Sequence, residues 1–142
     1  MSAFTPEEQG AIIFAIMEAE KNTSGEIRVH VENKCTGDPI NHAIKVFNQL
    51  KMHETNERNG ILFYLALDSH AFALIGDEGI HMKVGQDFWD STTDIVINKF
   101  KSGKLIDGLT EGISHCGEQL KKYFPSKGPE DKNELSDEIS FN

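Results

Sequence analysis

The order of apolar and polar positions predicts a helix and then a strand at the start of the chain. Thr5, Pro6 and Glu8 form a capping box with proline at the first helical position, which favours a helix that begins at Pro6. From Glu26 to Glu32 the pattern changes to strict alternation, which is typical of a half-buried strand. The apolar face of that strand consists of Ile27, Val29 and Val31.

A second helix and a strand hairpin are predicted next. Asp38 is a suitable N-cap and is followed by Pro39, so a helix should begin there. Its buried stripe would comprise Ile40, Ala43, Ile44, Phe47 and Leu50. Residues 61–67 are apolar on both faces, which is typical of a central strand. Because residues 68–70 are too short for a crossover, residues 71–75 should form its antiparallel partner.

Two further helices complete the predicted pattern, over residues 87–100 and from Leu105 to Leu120. Gly108 and Gly112 lie inside the last helix, where we expect them to permit close packing on a neighbouring element. The order of elements, α-β-α-β-β-α-α, predicts an α/β protein. Its architecture should be a three-layer α/β/α sandwich with a small mixed β-sheet.

The chain divides into one folded domain and a tail. Residues 1–124 carry the periodic pattern, whereas residues 125–142 are polar and acidic. The composition of the tail favours disorder, but three of its apolar residues offer the alternative of docking on the sheet as a short edge strand. These residues are Leu135, Ile139 and Phe141.

Composition and charge limit the classes of partner. The chain has 142 residues, which suits one domain, and a net charge of −9 from 23 acidic and 14 basic residues. Such a chain repels phosphate backbones, so we expect no nucleic acid partner. An acidic surface attracts divalent cations, although solubility alone also explains it.

The sequence shows no signal peptide and no apolar run of about 20 residues, the length that spans a bilayer. We therefore expect no membrane span and a cytoplasmic location. Cys35 and Cys116 form no metal-binding pattern with the histidines, and we expect them to be free thiols.

Several short motifs, considered together, resemble the TPM domain family. They are Thr23-Ser24-Gly25-Glu26, Arg58-Asn59-Gly60, Gly76-Asp77-Glu78-Gly79, Val84-Gly85, Phe88-Trp89, Tyr123-Phe124-Pro125 and Asn133-Glu134-Leu135. The resemblance spans nearly the whole chain and implies an α/β/α fold. Members of the family are described as acid phosphatases, as metal-binding modules or as protein-interaction modules.

The best candidate site is a divalent-metal site built on Asp77 and Glu78. These adjacent carboxylates follow an apolar strand and lie between two glycines, which permit a tight turn. Ca²⁺ and Mg²⁺ prefer clustered oxygen ligands on a bent backbone. Asp87, Asp90 and Asp38 are further candidate ligands from nearby predicted loops. The alternative is that Asp38 and Asp87 are simple N-caps and that the Asp77 turn is merely solvated.

Other polar residues are weaker candidates. The tail acids Glu134, Asp137 and Glu138 become reserve ligands if the tail docks. Arg28 and His30 lie on the polar side of the first strand, where an exposed strand face is a simpler explanation than a phosphate-handling or proton-handling role.

Three functions follow from this pattern. The first is a Ca²⁺- or Mg²⁺-responsive regulatory or interaction module with an unidentified protein partner. The second is a metal-dependent phosphatase, in which a bound metal activates water and Arg58 holds phosphate. The third is a protein-interaction domain without metal. No residue is assigned a catalytic role, because the sequence contains neither a Cys-x5-Arg motif nor a P-loop.

Overall fold

The computed structural model describes residues 4–126 and 135–141. Within these ranges the α-helices are α1 (Pro6–Glu20), α2 (Pro39–Gln49), α3 (Glu78–Val84), α4 (Gln86–Lys101) and α5 (Leu105–Tyr123). The strands are β1 (Glu26–Glu32), β2 (Gly60–Ala66), β3 (Ala71–Gly76) and β4 (Ser140–Phe141), and a short 3₁₀ helix covers Met52–Glu54. The capping box of the first helix is confirmed, since the Thr5 hydroxyl accepts the Glu8 N–H and the Glu8 carboxylate accepts the Thr5 N–H.

The four strands form one mixed sheet in the order β3-β2-β1-β4. β1 and β2 are parallel, from Glu26 beside Gly60 to Glu32 beside Ala66. β3 returns antiparallel to β2, as the short connection predicted. β4 comes from the tail and lies parallel to β1 over two residue pairs. The predicted α/β architecture with a small mixed sheet is confirmed.

Helices cover both faces of the sheet and enclose two apolar layers. On one face α1, α4 and α5 pack against Ile27, Ile61 and Phe63. On the other face α2 and the 3₁₀ helix pack against Leu62 and Tyr64. This arrangement explains why the β2 sequence is apolar throughout, because each of its faces meets a helix layer.

The glycines of α5 lie at close approaches, as predicted. A Cβ atom on Gly112 would lie 3.0 Å from the side chains of Phe63 and Val96. A Cβ atom on Gly108 would lie 2.8 Å from the Lys99 Cβ atom. Glycine therefore lets α5 settle directly on β2 and α4, and this packing fixes the helix layer on the first face of the sheet.

The predicted stripe of α2 is partly wrong. Ala43 and Phe47 are buried, but Ile40 and Ile44 are 52% and 48% exposed. Val46, which was not predicted, is buried instead. The helix is rotated so that its contact with the sheet runs through Ala43, Val46 and Phe47, which leaves two isoleucines on the outer side.

The expectation that Arg28 and His30 lie on an exposed strand face is also wrong. His30 is 4% exposed and Glu26 is 2% exposed. Residues 135–141, which we call the C-terminal segment, cover this side of β1. Arg28 donates to the Glu138 carbonyl oxygen, and His30 lies 2.9 Å from the Ser140 hydroxyl. Alternation along β1 could not reveal a covering segment that is so distant in sequence.

Candidate functional site

Three of the resemblance motifs meet at one edge of the sheet, which we call the rim. Parallel β1 and β2 both begin there, and antiparallel β3 ends there. The rim therefore gathers the loop before β1, the loop before β2 and the turn after β3. The Asp77 N–H donates to the Gly60 carbonyl oxygen, and the Glu26 N–H donates to the Asn59 carbonyl oxygen, so these segments are joined through the backbone.

One half of the rim is an ion pair between Arg58 and Asp77. The Arg58 Nε and Nη2 atoms lie 2.6 and 2.8 Å from the two Asp77 carboxylate oxygens. The Nη1 atom lies 3.3 Å from Glu78 Oε1. The hydrogen bond to Asp77 is the main reason that the pKa of Arg58 is raised. The two carboxylates predicted as metal ligands thus share one guanidinium as their counter-charge.

Backbone geometry holds this ion pair in place. Asp77 is the N-cap of α3, and its side chain accepts the Glu78 N–H at 2.8 Å. Arg58 has a positive φ of 51°, which turns its loop toward Asp77. Gly79 lies directly beneath that loop, since a Cβ atom there would be 2.2 Å from the Glu57 carbonyl oxygen. Only glycine fits this contact, so the sequence Gly76-Asp77-Glu78-Gly79 is explained by packing as well as by charge.

The other three predicted ligands lie elsewhere. Asp87 and Asp90 are exposed on the first turns of α4, where Asp90 accepts from the Gln86 amide at 3.0 Å. Asp38 caps α2 through the Ile40 N–H at 2.9 Å. Its loop contacts the β2–β3 hairpin, at the opposite end of the sheet from the rim. Over residues 4–126 and 135–141, no three His, Cys, Asp or Glu side chains form a group that could hold a metal ion.

The second half of the rim holds two carboxyl groups that the sequence analysis did not single out as ligands and a third that it named only as a reserve ligand. Glu20 ends α1, Glu26 begins β1, and Asp137 lies in the C-terminal segment. Burial, followed by a hydrogen bond with Asp137 and the charges of Asp137 and Glu26, raises the pKa of Glu20 to about 9. Glu20 therefore carries a proton at neutral pH. In this half of the rim the acids converge, and the charge of Asp137 also acts on the Arg28 guanidinium.

Two of these carboxyl groups also accept hydrogen bonds from backbone N–H groups. Glu20 Oε2 accepts the Ile27 N–H at 2.9 Å. The Glu26 Oε1 atom accepts the Leu135 N–H. Together with Asp137, these residues border a cavity of about 370 Å³, which Ser24 and Ser126 also line. The acids therefore lie at a concave surface between α1, β1 and the C-terminal segment.

The motif residues around Ser24 join the two halves. Ser24 donates its hydroxyl hydrogen to Glu57, and the Asn59 amide donates to the Ser24 hydroxyl oxygen at 3.2 Å. The Thr23 hydroxyl lies 2.5 Å from the Phe124 carbonyl oxygen and accepts the Gly25 N–H at 3.0 Å. The loop before β1 is thus fixed to α5 on one side and to the Arg58 loop on the other.

A chain of polar contacts anchors the end of the C-terminal segment. His30 Nε2 lies 3.1 Å from Glu32 Oε1, and Tyr64 donates to Glu32 Oε2 at 2.5 Å. On the other side of the ring, His30 Nδ1 lies 2.9 Å from the Ser140 hydroxyl, so His30 bridges Glu32 and Ser140. The His30 and Tyr64 rings stack with centroids 6.0 Å apart. His30 therefore serves to hold Ser140.

A separate groove lies between α2 and the end of β3. Its volume is about 440 Å³, and its apolar wall includes Ile40, Ile44 and Trp89. The Arg58–Asp77 pair lies at its polar end. The two exposed isoleucines of α2 thus belong to a concave surface, and they are not isolated apolar residues.

The two cysteines, Cys35 and Cys116, are not joined in a disulfide. Both are free, as predicted, and burial raises the pKa of the Cys116 thiol, which keeps it protonated. Arg58, which was considered as a phosphate holder, is committed to Asp77 and Glu78, so the phosphatase alternative gains no support from it. No helix in the described ranges is both long and apolar enough to cross a membrane.

Sequence reasoning missed Glu20 and Glu26 for identifiable reasons. Glu20 fitted the helical spacing of α1, and Glu26 fitted the polar side of β1. One signal was present, because the two acids flank the Thr23-Ser24-Gly25 motif. Asp137 was named only as a reserve ligand, since its position depends on whether the tail docks.

Comparison with solved structures shows the same fold in other proteins. The NMR structure of the BA42 protein from the psychrophilic bacterium Bizionia argentinensis is 45% identical and superposes with a TM-score of 0.90. That match covers 99% of this chain and 97% of the other. The N-terminal domain of the cg2496 protein from Corynebacterium glutamicum is 12% identical, with a TM-score of 0.68 over 94% of this chain and 85% of the other.

An N-terminal domain from a P. gingivalis protein is 18% identical, with a TM-score of 0.68 over 85% of this chain and 78% of the other. These two distant matches show the fold alone. No curated protein matches the chain. The family model described as TPM domain matches residues 1–119. Because this match covers most of the chain and agrees with the motifs at the rim, the chain belongs to the TPM domain family.

Proposed function

We propose that this TPM domain is a divalent-cation-responsive module. Ca²⁺ or Mg²⁺ would bind among Glu20, Glu26 and Asp137 and fasten the C-terminal segment to β1. The observation that carries the proposal is the convergence of these carboxyl groups, which raises the pKa of Glu20 to about 9. A single proton on Glu20 now reduces the negative charge of this group of acids, and a divalent cation would neutralise more of that charge.

The donor set suits a hard cation. Ca²⁺ and Mg²⁺ take carboxylate, carbonyl and water oxygens, and they displace protons from the acids that they bind. The cavity of about 370 Å³ leaves room for the hydration shell that Mg²⁺ retains. In the described conformation the carboxyl groups of Glu20, Glu26 and Asp137 do not form a group that could hold a metal ion. Binding would therefore require loss of the Glu20 proton and movement of the side chains toward a common centre.

The Arg58 half of the rim is a poorer site. A cation there would compete with a bidentate guanidinium whose nitrogens lie within 2.8 Å of both Asp77 oxygens. Among the described residues, Asp87, Asp90 and Asp38 form no metal-holding group with Asp77 and Glu78. We therefore assign the cation to the Glu20 half, where it would displace the Glu20 proton and would not compete with a bidentate guanidinium.

Binding at this place would have a structural consequence. Asp137 is in the C-terminal segment, whereas Glu20 and Glu26 are in α1 and β1. A cation bound by all three residues would attach the C-terminal segment to α1 and β1. It would thereby change the surface that the protein presents beside β1. Such a module regulates a partner through the position of a segment, without chemistry of its own.

The test is a Ca²⁺ and Mg²⁺ titration followed by amide NMR shifts. We expect shifts to concentrate in residues 20–28 and in the C-terminal segment, and one proton to be released in weak buffer. Glu20→Gln and Asp137→Asn should each abolish both responses. Asp90→Asn is the matched control, because it removes a carboxylate from the exposed face of α4 and should leave the titration unchanged.

Two results would overturn this assignment. One is a titration in which millimolar Ca²⁺ and Mg²⁺ move no amide resonance. The other is a set of shifts that survives Glu20→Gln and centres on Asp77 and Glu78, which would return the site to the Arg58 half.

A further inference from the structure

The outer edge of β1 is only partly used by its neighbouring strand. β1 has seven residues, and of the residues that the structure describes only Ser140 and Phe141 pair with this edge. At two other positions along the edge, hydrogen bonds that involve side chains take the place of backbone pairing between strands. Glu20 accepts the Ile27 N–H at 2.9 Å, in the place where the carbonyl oxygen of a paired strand would lie. Arg28 Nη2 reaches the Glu138 carbonyl oxygen at 3.3 Å.

The C-terminal segment also fits this edge imperfectly. Its Asp137 faces the carboxyl groups of Glu20 and Glu26. Arg28 Nε is buried, and within the described part of the chain it has no acceptor. Phe141 is 50% exposed at the end of the segment. These are three separate mismatches in one short contact, whereas the rest of the sheet is well paired.

We propose that the outer edge of β1 is a binding site for an extended peptide strand, and that the C-terminal segment occupies this site in the free protein. A partner strand would pair with β1 over more than two residues, as in β-strand addition. This inference deepens the proposed function by naming the class of partner. Strand binding itself does not require the cation.

The contacts that the C-terminal segment makes with β1, and those that it fails to make, indicate which side chains a partner strand should carry. The partner needs an apolar side chain where Ile139 is buried, and a hydroxyl or amide opposite His30. It also needs an oxygen acceptor for Arg28 Nε. In contrast to Asp137, its residue opposite Glu20 should be neutral or basic, since a further carboxylate there is repelled.

The probe is a fluorescein-labelled peptide with the sequence of residues 135–141 that carries D137N. Its binding to the full-length chain is measured by anisotropy in EDTA, so that no cation contributes. Ile139→Asp releases the chain's own segment, and we expect it to raise peptide affinity at least ten-fold over the unaltered chain. Ile44→Asp is the control, because it adds the same charge at an exposed position of α2 and should leave affinity unchanged.

The site of binding is read from amide shifts, which we expect at Arg28, Val29 and His30. Equal affinity of the three chains would overturn the proposal, as would shifts confined to the groove at Ile40 and Ile44. Concentration-dependent dimerisation of the Ile139→Asp chain without peptide binding would assign the edge to a second copy of the chain instead.

A second measurement does not depend on the Ile139→Asp chain folding. Excess D137N peptide added to the unaltered chain in EDTA should displace the segment and shift the amide resonances of Ile139 and Phe141. If these resonances stay in place at saturating peptide, the edge is not an exchangeable strand site. Failure of the cation titration would leave this result untouched, because no cation is present, so the two proposals fail separately.

Discussion

On the Arg58 side of the rim, two carboxylates face a guanidinium, whereas on the Glu20 side three carboxyl groups face one another. Asp77 is 7% exposed, and both of its oxygens accept hydrogen bonds from Arg58. Glu20 lacks such a partner, and burial beside Asp137 raises its pKa to about 9. Glu20 is thus neutralised by a proton, whereas Asp77 at the same edge is neutralised by a guanidinium.

This difference in counter-charge indicates which half of the rim should respond to pH or to a divalent cation. An ion pair fixed by a helix cap and by a close glycine contact has little reason to change with pH or with metal. A carboxyl group that holds a proton because it is buried and has other acids beside it changes when a better counter-charge arrives. The motif residues at Ser24 and Asn59 join a rigid half to a responsive one.

The largest expected effect is on the pH dependence of stability, which should depend on Glu20. Its pKa rises from an ordinary value of 4.5 to about 9 on folding. The stabilisation is thus fully present below pH 4.5 and is lost as the pH rises through about 9. The free energy of unfolding should fall in this window, by at most about 1.4 kcal/mol per pH unit.

Urea unfolding at several pH values compares the unaltered chain with Glu20→Gln. Glutamine keeps an acceptor for the Ile27 N–H and a donor toward Asp137 but does not titrate. We expect its stability to be nearly flat over the same window. A decline as steep as that of the unaltered chain would mean that another group causes it.

The next effect tests the rigidity of the Arg58 half against the Glu20 half. In Gly79→Ala, the new Cβ would lie 2.2 Å from the Glu57 carbonyl oxygen and 2.6 Å from the Arg58 carbonyl oxygen. Because backbone cannot move aside cheaply, we expect a loss of about 3 kcal/mol. In Gly25→Ala, the Cβ would meet only the end of the Leu120 side chain, at 2.4 Å. That side chain can adjust, so about 1 kcal/mol is expected.

Gly10→Ala supplies the control for both glycine substitutions. No atom outside the local backbone lies within 4 Å of a Cβ atom at Gly10, which is exposed on α1. Alanine is the better helix former, so stability should rise by about 0.8 kcal/mol. Chemical denaturation measures all three changes. A Gly25→Ala loss equal to the Gly79→Ala loss would show that the two halves are equally rigid.

The sequence predicted local structure well where the structure depends only on residues that are close together in the chain. The limits of β1, the capping box at Thr5 and the hairpin after β2 each depend on neighbouring residues. The two errors involved contacts between distant segments. Ile40 and Ile44 follow helical spacing, but only the packing of α2 on the sheet decides which side of the helix is buried. His30 is buried by a segment that follows it by 110 positions.

The candidate site divides in the same way. Asp77 and Glu78 were found because two glycines flank them, which is a local signal. That Arg58 would neutralise them was not visible, since it depends on a positive φ at Arg58 and on how two loops meet. Glu26 and Leu135 are 109 positions apart, so their contact could be predicted only from a docked tail.

A smaller effect is expected when the repulsion on the Glu20 side is removed. In Asp137→Asn, the new amide can donate to Glu20 once Glu20 ionises, so docking of the C-terminal segment should strengthen by about 1 kcal/mol as the pH reaches the Glu20 pKa of about 9. Hydrogen exchange of the Ile139 and Phe141 amides measures this change, and it should slow. Faster exchange would show that Asp137 attracts the segment to the rim and does not repel it.

The smallest effect is expected at a carboxylate outside the rim. Asp90 is exposed, and its hydrogen bond to Gln86 spans one turn of α4. Replacement by asparagine keeps an acceptor for that amide, so the stability change should stay within about 0.5 kcal/mol. The unfolding curve should also keep the pH dependence of the unaltered chain. A larger change in either would mean that charges across the whole acidic surface act together, and the contrast between the two halves of the rim would then lose its explanatory force.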